Sequence, residues 1–138
     1  GDLELKSSEI KSLMVLDKKS NINCVYGSRY SSINPFNSLW TFGNFFFTLL
    51  FNLLNKSNLT DALCCAKSFY KKDIKTCDLK SNKFDIDIEI TGQLIRLHKN
   101  NINCSISYTR RTLKQGKKLR LRDGYLILKR IFIDFLNI

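Results

Sequence analysis

Ile22-Asn23-Cys24-Val25-Tyr26-Gly27 is the stretch from which the rest of the chain is best read. Ile22, Cys24 and Tyr26 fall on one face of an alternating run that stops at a glycine, so a strand is expected here. Residues 28–37 are polar, contain Pro35 and read as a loop. Asn37 or Ser38 then caps a long apolar segment reaching about Leu54. Aromatics and leucines surround that helix, which predicts burial on several sides. Upstream, residues 7–17 carry Ile10, Leu13, Met14 and Leu16 behind Ser7 and Ser8, the pattern of a short capped amphipathic helix.

Downstream, residues 55–60 read as a turn, and residues 61–70 as a compact segment holding Cys64-Cys65. A short helix is expected over residues 72–79. Residues 86–98 place Ile90, Leu94 and Leu97 on one helical face. Ile102, Cys104, Ile106 and Tyr108 alternate as a second good strand. A polar loop follows over residues 110–118, and beyond it the chain turns basic and then strongly apolar. Helices alternating with strands, without repeat or linker, predict an α/β layer structure.

The chain has 138 residues and a mass of 16.0 kDa, the size of one small domain or a piece of a larger one. Its 43% apolar content argues against disorder, and one Pro with six Gly excludes collagen. A membrane span needs roughly 18 apolar residues. The nearest approach, residues 39–54, is interrupted by Thr41, Asn44, Thr48 and Asn52. Gly1-Asp2-Leu3-Glu4 lacks the basic head and apolar middle of a secretory signal.

The net charge is +11, and it is unevenly placed. Arg110, Arg111, Lys114, Lys117, Lys118, Arg120, Arg122, Lys129 and Arg130 crowd one stretch in which Asp123 is the only acid. A phosphate-bearing partner accounts for such a cluster, whether nucleic acid, an anionic membrane surface or a phosphorylated small molecule. A solvated basic face is the plain alternative. The five cysteines are odd in number, contain no Cys-x-x-Cys, and are joined by a single histidine, His98. Zinc-ligand spacing is absent, so they read as reduced, small apolar residues of a cytosolic protein. Three Asn-x-Ser/Thr matches, at Asn55, Asn58 and Asn103, read as chance in an Asn-rich chain.

Several segments, in order, carry a resemblance. They are Val25-Tyr26-Gly27-Ser28-Arg29-Tyr30, Phe42-Gly43-Asn44, Leu59-Thr60-Asp61 with Lys67 and Phe69, Ile88-Glu89-Ile90-Thr91 and Ile106-Ser107-Tyr108. The last is Arg111-Thr112-Leu113-Lys114-Gln115-Gly116-Lys117-Lys118 followed by Arg122-Asp123-Gly124. Together they resemble the family 2 glycosyltransferases, in particular the dolichyl-phosphate mannose or glucose synthase-like group, over residues 2–130. The resemblance implies an α/β fold, the acceptor-side half of a GT-A domain, with a mixed sheet, packed helices and a C-terminal amphipathic helix. Residues 1–118 would be the second half of the catalytic domain, and residues 119–138 a membrane-surface helix. The nucleotide-binding half would precede Gly1, ending in an Asp-x-Asp motif whose second aspartate is Asp2.

The implied activity is transfer of a sugar, with inversion, from a nucleotide-diphosphate donor to an acceptor, expected to be a polyprenyl or dolichyl phosphate. Mg2+ or Mn2+ would neutralise the leaving diphosphate in the complete enzyme, with Asp2 among its ligands. An already ionised phosphate acceptor needs no general base. Anionic membrane, at the cytoplasmic face, is the implied setting. Nucleic acid is not an expected partner, although a basic nucleic-acid-binding module without catalysis is the alternative function.

Among the residues, Arg29 would bind acceptor or donor phosphate from the end of a strand. Arg111 would do the same from the basic loop, with Arg110 able to take its place. Lys117 and Lys118 would close over phosphate or face anionic lipid. Asp61 is the catalytic candidate: a base for a hydroxyl acceptor, an orienting group for Lys67 or Arg29 if the acceptor is phosphate, or simply a helix N-cap. Glu89 is a weaker candidate, equally readable as an acid favoured at a helix start. Leu39-Trp40-Thr41 departs from the family, which often carries Arg or His there. His98 reads as a partner for a helix C-terminus.

Overall fold

A computed structural model describes residues 6–30, 34–98, 100–109 and 121–136. The described elements are α1 (Ile10–Leu13), β1 (Cys24–Ser28), α2 (Leu39–Asn55), β2 (Lys67–Phe69), α3 (Lys71–Thr76), α4 (Ile86–Leu97), β3 (Asn101–Ser105) and α5 (Leu121–Leu136). Single 3-10 turns precede α1, at Ser7–Glu9, and α2, at Pro35–Asn37.

The sheet is small and mixed, in the order β2-β1-β3. Strand β1 pairs antiparallel with β2, Cys24 opposite Phe69 and Tyr26 opposite Lys67. It pairs parallel with β3, Cys24 opposite Asn101 and Ser28 opposite Ser105. All five β1 residues are buried, as befits a central strand. Gly27 is required there. Its N–H donates to Ala66 O at 2.8 Å, and a Cβ at this position would lie 2.9 Å from that same oxygen. Only a glycine permits so close a backbone approach.

Cys24 and Tyr26 share a core with Phe51 of α2, Leu59, Ala62, Ile88, Leu94 and Ile95 of α4, and Ile127 and Ile131 of α5. Cys24 and Tyr26 thus face this core as expected, while Val25 is buried on the other face and Ile22 lies before the strand. Helix α5 is part of this core: Ile131 is fully buried and Ile127 nearly so. Arg130 ties it to α4 through Glu89 at 3.2 Å, with Asp85 at 3.7 Å.

Helix α2 starts where Ser38 accepts from Thr41 N at 3.2 Å, an N-cap that satisfies an orphan amide. It ends at Lys56, whose φ of 50° is left-handed, and Ser57 N returns to Asn52 O at 3.1 Å. The helix is not buried on several sides. Its outer row is exposed, and among its residues only Thr41, Thr48 and Phe51 are buried. Residues 61–70 form a turn followed by the three-residue β2 rather than a helix, so Asp61 caps no helix.

Candidate functional site

The site is built around the carboxyl end of β1. Arg29 follows the strand directly. Its backbone N–H donates to Asp61 Oδ2 at 3.2 Å, its Nε to the same oxygen at 2.6 Å, and its Nη2 to Asp61 Oδ1 at 2.8 Å. This is the two-pronged geometry that a planar guanidinium makes with a carboxylate. The Asp61 side chain is fully buried, and that of Arg29 is 16% exposed. Burial works against the Arg29 charge. The hydrogen bonds and negative charge of Asp61 more than offset it and hold the guanidinium well above its usual range. Arg29 Cζ also lies 5.4 Å from the ring centroid of Tyr108, beyond the end of β3.

Because β1 and β3 run parallel and in register, their carboxyl ends lie side by side. Arg29 thus stands next to Tyr108. Open α/β sheets place ligands outside the carboxyl ends of parallel strands. Tyr30 extends the same rim: its hydroxyl donates to Thr41 O at 3.3 Å, its ring meets Phe45 edge-on, and burial pushes its pKa up.

The loop bearing Asp61 is fixed from three sides. Asn52 of α2 accepts from Leu59 N and donates to Leu59 O, at 3.0 and 2.7 Å. Asn103 of β3 accepts from Thr60 N at 3.0 Å and donates to Asn58 O at 3.2 Å. Ala62 N donates to Thr48 Oγ1 of α2 at 3.2 Å, and Ala62 O accepts from Thr91 Oγ1 of α4 at 3.1 Å. A loop whose backbone groups are so fully engaged holds its carboxylate in one place. Asn52, Thr48, Thr91 and Asn103 are positioning residues that the sequence reading did not find. A polar residue inside an otherwise apolar helix was the only signal.

Asp61 does not orient Lys67. The Lys67 ammonium bonds Cys64 O and Asp87 Oδ1 instead, the latter at 3.3 Å. Glu89 is buried and faces away from this loop, accepting from Lys80 N and Ser81 N at 3.0 and 2.8 Å as well as from Arg130. His98, at the end of α4, meets Asp73 Oδ2 at 2.9 Å. Asp2, Arg110, Arg111, Lys117 and Lys118 lie outside the described residues. Among the described residues no group of three His, Cys, Asp or Glu side chains is placed to hold a metal ion. Burial pushes the thiols of Cys24 and Cys64 up to about 11 and about 12, which makes them poor nucleophiles.

A cavity of about 430 Å³ lies between the segment carrying Lys6, Glu9, Leu13 and Met14 and a floor formed by Ala66–Ser68 and Ile106. Glu9 closes that segment onto the end of β3 by accepting from Ser107 N at 2.7 Å and from its hydroxyl.

No family model, curated protein or solved structure matches the chain.

Proposed function

We propose that this chain is the acceptor-side half of a GT-A glycosyltransferase of family 2. It would work with a nucleotide-binding half lying before Gly1, and the Asp-x-Asp motif at the junction, with Asp2 as its second aspartate, would help to hold Mg2+ or Mn2+. The reaction is transfer of a sugar, with inversion, from a nucleotide-diphosphate sugar to a polyprenyl or dolichyl phosphate at the cytoplasmic face of a membrane. The observation that carries this reading is the convergence of Arg29, paired with buried Asp61, and Tyr108 at the carboxyl ends of the parallel strands β1 and β3.

In this reading Arg29 binds phosphate and Asp61 positions it. A guanidinium has five N–H donors, and Asp61 accepts through Nε and Nη2, fixing the plane of the fork toward the sheet end. The acceptor phosphate is already an anion, so no base is needed and Asp61 serves better as the partner of Arg29. Held in line with the donor's anomeric carbon, the phosphate oxygen attacks as the nucleotide diphosphate leaves. Arg111 or Arg110, Lys117 and Lys118 bring further positive charge from the segment that follows Tyr108. The mixed sheet also suits the reading: β2 is an edge strand among the described residues, open to pairing with a further strand.

The test is a transfer assay on the protein that joins this chain to its preceding half, with a panel of nucleotide sugars and a polyprenyl phosphate. A lipid-linked sugar of inverted anomeric configuration is expected, and the 138-residue chain alone should form none. Absence of product with every donor, or transfer by the isolated chain, would overturn the reading.

A further inference from the structure

Helix α2 contains 17 residues and no charged side chain. Its exposed positions are Leu39, Phe42, Phe46, Leu49 and Leu53. All five are large and apolar, and Leu39 and Leu53 are 72% and 74% exposed. Their spacing of three and four residues makes one continuous row along about 21 Å of helix. Phe36, 72% exposed, extends the row at its start and lies 6.1 Å from the Phe42 ring. Single exposed leucines are ordinary, but a helix whose whole outer row is apolar marks a contact surface.

The charge around the row decides what covers it. Lys56 stands exposed at the C-terminal end of α2. Helix α5 packs beside α2, with Phe47 lying over Gly124. The outer row of α5 repeats the same spacing with Arg122, Tyr125, Lys129, Phe132 and Leu136. Cations interleaved with aromatic and aliphatic side chains form the pattern of a helix lying in a lipid headgroup region. A second copy of this chain, itself carrying +11, would bring cations against cations, whereas an anionic bilayer brings the opposite charge. No helix among the described residues is long and apolar enough to cross a membrane, so the contact is one of lying on the surface.

We propose that α2, through Leu39, Phe42, Phe46, Leu49 and Leu53, is the face that enters the headgroup–acyl boundary of an anionic bilayer, and that the Arg122 and Lys129 row of α5 meets the lipid charge beside it. The inference deepens the reading above by naming its membrane-contact surface. It rests on the two helix faces alone and would stand if no sugar were transferred.

Trp40, the chain's only tryptophan, lies in α2 and reports directly. The full chain is mixed with vesicles of phosphatidylcholine and with vesicles containing phosphatidylglycerol as well. The expected result is a blue shift of Trp40 emission and co-flotation with the anionic vesicles, both weakening as salt rises. The double variant Phe46→Glu, Leu49→Glu should lose about a hundredfold in partitioning with an unchanged circular dichroism spectrum. If that variant misfolds, Leu39→Ser with Leu53→Ser serves the same purpose. Failure of the wild type to bind, or equal binding by a folded variant, would overturn the proposal. So would equal binding to both kinds of vesicle, or sedimentation as a dimer that the variant dissolves, which would assign the face to a second copy.

Discussion

Arg29 and Asp61, separated by 32 residues in sequence, are joined by three hydrogen bonds, two from the guanidinium and one from the Arg29 backbone N–H. The carboxylate is fully buried, the cation only slightly exposed. Removing one partner of such a pair leaves the other charge without compensation in a low dielectric. Asp61→Ala should therefore destabilise the fold by about 3 kcal/mol, the lower end of the range for broken buried pairs because Arg29 keeps some contact with water. Urea unfolding of the two proteins measures it, and a loss under about 1 kcal/mol would mean that the pair is a surface contact in solution.

Lys56 offers a prediction of the opposite sign. It closes α2 with a φ of 50°, a left-handed conformation in which a Cβ crowds the backbone and glycine is preferred. Its side chain is exposed. Lys56→Gly should stabilise the protein by about 0.5–1 kcal/mol, read as a rise in Tm. A fall in Tm would show that the lysine makes a contact worth more than the strain it imposes.

Asp134 of α5 sits between Arg96 and Arg130, with Glu89 and Asp85 nearby, and burial raises its pKa to about 6. The folded state therefore holds its proton more tightly than the unfolded chain, whose value is near 3.8. The stabilisation is fully present below the unfolded value and is lost as pH rises through about 6. Asp134→Asn, which cannot ionise, should remove this slope and gain on the wild type by roughly 2 kcal/mol between mildly acidic and neutral pH. Arg96 bonds the backbone carbonyl of Asp134 rather than its carboxylate, so that contact survives the substitution. Parallel stability curves for the two proteins across this range would contradict the account.

The two main strands were legible from their alternation, though β3 spans only Asn101–Ser105 and its Ile102 stays exposed. Cys24 and Tyr26 go to the core as their spacing implies, and Ile106 is buried just past β3. The faces of α2 were not legible. Apolar residues surround the whole helix, so periodicity carries no contrast, and only the neighbours it meets in space decide that Phe51 is buried and Phe46 exposed. Strand β2 is too short, at three residues, for any alternation to appear. Arg29 and Asp61 were each visible as candidates, and their pairing was one of several readings of Asp61. The clamp that holds the loop was invisible because Asn52, Thr91 and Asn103 reach it from elements up to 45 residues away. Such contacts are set by tertiary packing and leave no local pattern.

The central claim is that the fork of Arg29, held by Asp61, binds the phosphate of the acceptor. The most direct measurement is steady-state transfer by the joined protein carrying Arg29→Lys, which keeps a positive charge and loses the two-pronged geometry. The account predicts that kcat/KM for polyprenyl phosphate falls by about 2–4 kcal/mol in transition-state stabilisation, roughly thirty- to a thousandfold. Nucleotide-sugar binding should stay close to wild type, and the melting curve should fall by less than that of Asp61→Ala, because the lysine keeps a charge opposite the buried carboxylate. An unchanged kcat/KM in a folded variant, or a loss confined to nucleotide-sugar binding, would contradict it.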